Sequence, residues 1–193
     1  MAAGGTDALE CHDVSVHYGD VVALSHFSAA FARGMIHAVV GQNGAGKTTF
    51  ARVAAGLVQP ATSSLRIDGH AVNTGSVQGA RKAGVELVHQ NFALPPSFTV
   101  AETMEFGAEG KGRLYSRRRL EAKWTGHLEG LGIQAKPRDR FRDIPVESQQ
   151  GVEIARALVT DARVLVLTNP RRCWRRRGSK RSLPVSAASN RAA

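Results

Sequence analysis

The nine residues GQNGAGKTT, 41–49, constrain this chain more than any other stretch. They fit G-x-x-x-x-G-K-[ST]. The apolar run MIHAVVG (35–41) before them suits a buried strand, and KTTFARVAAG after them reads as a helix, from about Lys47 to Ala55, ended by Gly56. A strand, a glycine loop and a helix in this order predict an α/β fold. Gly41, Gly44 and Gly46 let the backbone take positive φ, so that N–H groups of the loop, including those of Gln42, Asn43 and Ala45, turn inward toward one phosphate chain. Lys47 supplies a flexible point charge for the β- and γ-phosphates of a nucleotide. The Thr48 hydroxyl is suited to Mg²⁺, which keeps waters and substrate oxygens as its other ligands. The helix that carries Thr48 and Thr49 in its first turn adds its positive end. The alternative is an ordinary glycine-rich turn; spacing and element order together argue against it.

With 193 residues the chain is long enough for one domain with a real core and an attached lobe. Its apolar content of 42% is ordinary for a globular protein. No apolar run approaches the ~20 residues that span a bilayer. The start, MAAGGTDALE, has neither a basic nor an apolar signal region, so nothing suggests export. Cys11 and Cys173 stand far apart, which fits a reducing compartment and no metal site. The net charge of +10 is concentrated at one end: residues 168–193 hold eight of the 26 basic residues and no acid, leaving 18 basic against 16 acidic groups in residues 1–167.

Along the chain, residues 8–18 alternate as an edge strand, and 21–34 form a second β-rich stretch after a turn at Gly19–Asp20. Tyr18, an aromatic before a tight turn, is placed either to offer its face to an adenine ring or to cover the sheet end. Beyond Pro60, residues 63–72 read as a hairpin turning at Asp68–Gly69, and 79–82 as a short helical or loop segment. GVELVHQ (84–90) is a strand ending in Gln90, a loop cap or a group that reaches Mg²⁺ or the attacking water. Pro95–Pro96 forces an extended loop. A charged helical region follows from Thr99 to about Leu131, with Arg117, Arg118 and Arg119 on a solvated face. Residues 91–150 read as a helical lobe inserted in the α/β domain. SQQGVEIARAL (148–158) is helical and ARVLVL (162–167) a buried strand. The tail, 168–193, has no strand or helix period, and its composition predicts disorder.

These landmarks resemble the ATP-binding subunit of an ABC transporter. Tyr18 matches the aromatic A-loop, Gly41–Thr48 Walker A, Gln90 the Q-loop, and IPVESQQGVEIARAL (144–158) the signature segment, with an apolar strand where Walker B lies. The resemblance covers residues 8–167. It implies a P-loop NTPase core of the ABC ATPase type with an antiparallel β subdomain and an inserted α-helical subdomain, incomplete at the C-terminus. It also implies ATP and Mg²⁺ as cofactors, with Thr48 and Gln90 on the metal. The expected partners are a second cassette, paired head to tail, and transmembrane permease subunits, at the cytoplasmic face of the membrane. The wording VHQNFALPPSFTVAETM resembles cassettes serving sugar or nucleoside importers.

The departures bear on chemistry. Pro145 stands where the signature has Ser, and Glu147 where it has Gly. Proline removes a donor, and a carboxylate repels a γ-phosphate. Where Walker B ends in Asp-Glu-Pro, this chain has Thr168, Asn169 and Pro170, neither of the first two an anion or a general base at neutral pH. The switch histidine is missing, His127 being the last histidine. One event accounts for the end of the chain. A parental Asp-Glu-Pro-Thr-Ala-Val-Leu-Ala, written GAC GAA CCC ACG GCG GTG CTG GCG, reads Thr-Asn-Pro-Arg-Arg-Cys-Trp-Arg once its first G is deleted. That is the sequence of residues 168–175, so 168–193 reads as out-of-frame translation. The expectation is an ATP-binding subunit that binds nucleotide and does not hydrolyse it. Two other readings are a non-hydrolysing regulator paired with an intact cassette, and a soluble ABC protein that contacts nucleic acid through the Arg-rich tail and Trp174. The last is disfavoured, and no nucleic-acid partner is expected.

Overall fold

The computed structural model describes residues 7–88, 95, 97–106, 116–168 and 185–189. The chain divides into two compact units: Met1–Leu87 with Arg163–Val166 and Arg176–Ala193, and Val88–Ala162 with Leu167–Arg175.

The first unit is built from β1 (Asp7–Tyr18), β2 (Val21–Ala32), β3 (Ile36–Val40), α1 (Lys47–Ala54), β4 (Thr62–Ile67), β5 (His70–Ala71) and α2 (Val77–Lys82). β6 (Val85–Val88), β7 (Val164–Leu167) and β8 (Val185–Ser189) complete the strands. β1 and β2 form the hairpin expected at Gly19–Asp20, Gly19 taking φ 58°. β1 is not an edge strand, however. Its far side pairs antiparallel with β4, giving the order β2-β1-β4-β5. Cys11, Val14 and Val16 of β1 are buried there, and the charge pattern of the strand alone carries no sign of a partner 47–58 residues later.

The core of this unit joins Leu24, Phe27 and Phe31 of β2 and Leu65 and Ile67 of β4 to Phe50, Val53 and Ala54 of α1. The Phe50 ring lies 4.8 Å from that of Phe27 and 5.6 Å from that of Phe31, centroid to centroid. Burying such a ring stabilises by about 1.5–3 kcal/mol, and here it fastens the helix that follows the glycine loop. α2 begins at Ser76, whose hydroxyl accepts from the Gly79 amide at 3.0 Å.

β3 pairs in parallel with β8, Ile36 opposite Val185 through Val40 opposite Ser189. The expectation of a tail without strand structure is thus corrected for these five residues. VSAAS is small and uncharged, and a strand edge with free N–H and C=O groups is a template for such a segment. β6 and β7 make a separate pair. The Arg163 amide donates to Gly84 O at 2.8 Å and the Thr168 amide to Val88 O at 3.3 Å, so the two run parallel. β3 and β7 are only half-buried, with Val40 at the end of β3 exposed, where full burial is expected from their apolar sequences. Each has one strand neighbour among the described residues, and a strand flanked on one side leaves side chains in reach of water.

The second unit packs α3 (Val100–Glu105), α4 (Arg117–Gly130), a 3₁₀ turn (Phe141–Asp143) and α5 (Val146–Val159) around Met104, Trp124, Leu128, Phe141 and Val152. α3 starts with a capping box: the Thr99 amide donates to Glu102 Oε2 at 2.7 Å, and the Glu102 amide to Thr99 Oγ1 at 3.2 Å. Glu105 Oε2 accepts from Trp124 Nε1 at 3.1 Å and Lys123 Nζ at 2.8 Å, joining α3 to α4. Arg117, Arg118 and Arg119 are exposed, as their clustering predicts.

Candidate functional site

β3 ends at Val40, and residues 41–46 turn the chain into α1. Gly44 takes φ 87° and Gly46 φ 77°, both in the left-handed region. At Gly46 the requirement is double. A Cβ there would stand 2.7 Å from Ala23 O and 2.8 Å from Leu24 Cδ1, so the loop rests directly on β2. The turn is closed from within: the Ala45 amide donates to Gln42 O at 3.2 Å and the Gly46 amide to Gly44 O at 2.8 Å.

The first bond inside α1 is Phe50 N to Gly46 O, 2.8 Å. The amides of Lys47, Thr48 and Thr49 therefore have no acceptor among the described residues. No side chain caps this end, and its first turn contains no acid. Three free donors and the positive end of a helix dipole are what a phosphate requires. Asn43, Gly44, Gly46, Lys47, Thr48 and Thr49 line an open hollow of about 250 Å³. Lys47 Nζ folds back into the loop, donating to Gly41 O at 2.8 Å and Gln42 O at 2.5 Å. Among the described residues its charge is held by neutral carbonyls and no carboxylate, so it is free to exchange them for an anion. The Thr48 side chain is exposed.

Tyr18 closes β1 and is paired with Val21, the first residue of β2. Two residues along β2, roughly 7 Å at strand rise, Ala23 meets Gly46. Tyr18, 46% exposed, thus shares the loop-proximal end of the hairpin with exposed Val21 and Val22. The sequence gives no sign that Ala23 and Leu24 form the floor of the loop: small and aliphatic residues in a strand read only as sheet.

Gln90 and Asn169 lie outside the described residues, as do Pro170, Cys173 and Trp174. Thr168 is half-buried, and both its amide and its hydroxyl donate to Val88 O at 3.3 Å. In the second unit, Pro145 is the N-cap residue of α5 and exposed Glu147 lies in its first turn. There the carboxylate meets the helix's own positive end. Ser148 and Gln149 are turned inward, Ser148 Oγ donating to Gln134 O at 3.0 Å and Gln149 Nε2 to Ile144 O at 3.0 Å.

A glycine loop that leads a strand into an uncapped helix N-terminus, with a lysine folded over it, defines a P-loop nucleotide-binding protein. The sequence profile of ABC transporters matches residues 24–172. This chain belongs to the ABC transporter family. It is 43% identical over 164 residues to the ribose import ATP-binding protein RbsA 2 of Rhizobium etli, covering 84% of this chain and 32% of that one. To the arabinose import ATP-binding protein AraG of Rhizobium meliloti it is 38% identical over 165 residues, covering 85% and 32%. The chain spans about a third of the length of these relatives. Among solved structures, a nucleotide-free ATP-binding cassette of an ABC transporter superposes with a TM-score of 0.72 at 20% identity, covering 83% of this chain and 68% of that one. CbiO1 of Clostridium perfringens, part of the ABC transporter complex cbiONQ, gives 0.67 at 23% identity, covering 86% and 66%. The fold is that of the ABC ATPases.

Proposed function

We propose that this chain is the nucleotide-binding part of a sugar importer's ATP-binding protein, and that it binds ATP without hydrolysing it. The observation that carries the reading is the P-loop: among the described residues, three amides without an acceptor, an uncapped helix end and Lys47 held by carbonyls alone. The names of the ribose and arabinose relatives support sugar over nucleoside as the solute class.

The amides of Lys47, Thr48 and Thr49 hold the β-phosphate, Lys47 exchanges Gly41 O and Gln42 O for phosphate oxygens, and the Tyr18 ring stacks on the adenine. Mg²⁺ fits less well. The exposed Thr48 hydroxyl and Gln90 are the ligands the chain would offer, and among the described residues no three His, Cys, Asp or Glu gather to hold a metal. The remaining positions fall to water and phosphate oxygens. Asn169, at the position where the family has its water-activating glutamate, cannot accept a proton from water at neutral pH, and removal of a positioned base costs roughly 10²–10⁴-fold in rate. As partners we assign a second cassette and transmembrane permease subunits, at the cytoplasmic face of the membrane. Among the described residues no helix is long and apolar enough to cross one.

The test is titration with a fluorescent ATP analogue, followed by ATP turnover at saturating Mg²⁺. Saturable binding by the unsubstituted protein is expected, weakened by Lys47→Ala about 10- to 100-fold, the worth of a charge-assisted phosphate contact. Equal binding by the two proteins overturns the assignment of the site. Steady turnover that Lys47→Ala abolishes overturns the claim of no hydrolysis.

A further inference from the structure

Asp68 stands in the turn between β4 and β5 with φ 51°. Asparagine or glycine serves such a left-handed turn position without a charge. Yet the carboxylate here is only 6% exposed, and a charge so far removed from water is costly unless paired. Both oxygens face a guanidinium, Oδ1 in an ion pair without an aligned hydrogen bond and Oδ2 in a hydrogen-bonded one. Oδ1 meets the Arg33 guanidinium, and Oδ2 accepts from Arg163 Nη1 at 2.7 Å.

The two arginines sit at informative places. Arg33 lies in the turn that leads into β3, three residues before Ile36, and Arg163 immediately precedes Val164, the first residue of β7. Arg163 also donates its amide to Gly84 O at 2.8 Å. Its side chain covers Gly84, where a Cβ would stand 2.9 Å from Arg163 Cγ. Gly84 (φ 88°) is the residue before β6. The starting ends of β3, β6 and β7 are therefore joined through one carboxylate, and β3 delivers the phosphate loop from its other end.

We infer that Asp68 is a positioning residue for the nucleotide site: it pins the start of β3 to the start of β7, and through β3 fixes where the P-loop amides and Lys47 stand. The inference rests on the nucleotide-binding reading above. β3 is held sideways by its ladder to β8, by His37 Nε2 at 3.1 Å from Ala32 O and by Val39 against the core, and the contact at Asp68 adds a restraint along its axis. A charge pair at its base opposes sliding along that axis at the point where the lever on the loop is direct. Asp68, Arg33 and Arg163 are not among the residues that line the P-loop hollow, so the effect passes through β3.

The test is Asp68→Asn, which keeps size and turn conformation and removes the charge. Two readouts are taken: affinity for the fluorescent ATP analogue, and backbone amide exchange in the ligand-free protein. We expect affinity to fall about tenfold, in line with the sensitivity of bound geometry to small displacements, and the β3 and β7 amides to exchange at least several-fold faster. The β1 and β2 amides are expected to keep their rates. Acceleration of all strands alike, or of none, overturns the pin. Selective acceleration with unchanged affinity overturns the positioning role. Arg163→Met, a milder change at an exposed side chain, gives the same pattern at smaller amplitude and serves if Asp68→Asn fails to fold. Absence of nucleotide binding by the unsubstituted protein overturns the nucleotide reading and is told apart because the exchange arm needs no ligand.

Discussion

Gly46 and Ala23 are in contact across the first unit: a Cβ on the glycine would stand 2.7 Å from the alanine carbonyl oxygen. Gly46 also holds φ 77°, where a side chain is strained. Gly46→Ala therefore meets two independent penalties, the left-handed backbone, about 1–2 kcal/mol, and overpacking against β2, about 1–3 kcal/mol. Thermal melting is expected to show a destabilisation of about 2–5 kcal/mol, accompanied by loss of nucleotide affinity. Gly44→Ala shares the strain without the clash, since nothing lies within 4 Å of its Cβ position. Its melting point should fall by less. Equal losses for the two would show that contact with Ala23 is not what seats the loop.

The contrast between these glycines also shows what a sequence displays. The P-loop is legible because all its demands are local: a strand, positive φ at fixed spacing and a helix start, within twenty residues. The floor that Ala23 and Leu24 give it is not, because close approach leaves no mark on residues of ordinary β character. The same applies to β1, whose partners in β4 lie 47–58 residues on, and to Asp68, whose arginines are 35 and 95 positions away. β8 was hidden by its setting, a short uncharged run after a stretch rich in arginine. The Thr168 replacement was visible in the sequence, but the return of its hydroxyl to Val88 O was not.

Glu102 supports a pH prediction. The Thr99 amide beside it holds its carboxyl below the usual 4.5, against some desolvation; the Thr99 hydroxyl, Arg117 and Arg140 act in the same direction as the amide. A carboxylate with a depressed folded-state pKa contributes stability above its unfolded value and loses it as pH falls through the folded one. The contribution is therefore intact above about pH 4.5 and declines below it. Glu102→Gln should be less stable than the unsubstituted protein at pH 7, with the difference closing as the pH is lowered below 4.5. Thr99→Ala removes the reciprocal bond and is expected to cost about 1 kcal/mol. Chemical denaturation at pH 7 and pH 3 measures both. A gap that widens in acid would show that the carboxylate is not what stabilises this turn.

Cys11 is fully buried and donates to Ala29 O at 3.3 Å. Burial pushes its thiol up to about 11, a backbone hydrogen bond at Ala29 acting the other way. At pH 8 the thiolate fraction is roughly 10²-fold below that of an ordinary cysteine. In a Cys173→Ser background, labelling by a thiol reagent should therefore report opening of the β1–β2 sheet rather than reaction of the native thiol. The rate is expected to rise with denaturant along the unfolding curve. Fast labelling in native buffer would mean that the sheet opens around Cys11 without global unfolding.

The chemistry at the end of β7 gives the last prediction. Thr168 has both donors on Val88 O and no negative charge to order Mg²⁺, and Asn169 offers no base. If these two positions are what silences hydrolysis, the pair Thr168→Asp and Asn169→Glu should tighten Mg²⁺-dependent ATP binding. The metal dependence is expected from the aspartate alone, since a carboxylate is the hard oxygen ligand Mg²⁺ prefers. Turnover needs more than these two residues, because Glu147 in the first turn of α5 faces any phosphate brought there with like charge. Adding Glu147→Gly removes that charge and should permit ATP-dependent pairing of two chains, visible as a mass shift in light scattering. Pairing by the triple variant and not the double one would identify Glu147 as the barrier to closure. Pairing by the unsubstituted protein with ATP would show that neither the carboxylate nor Pro145 prevents it.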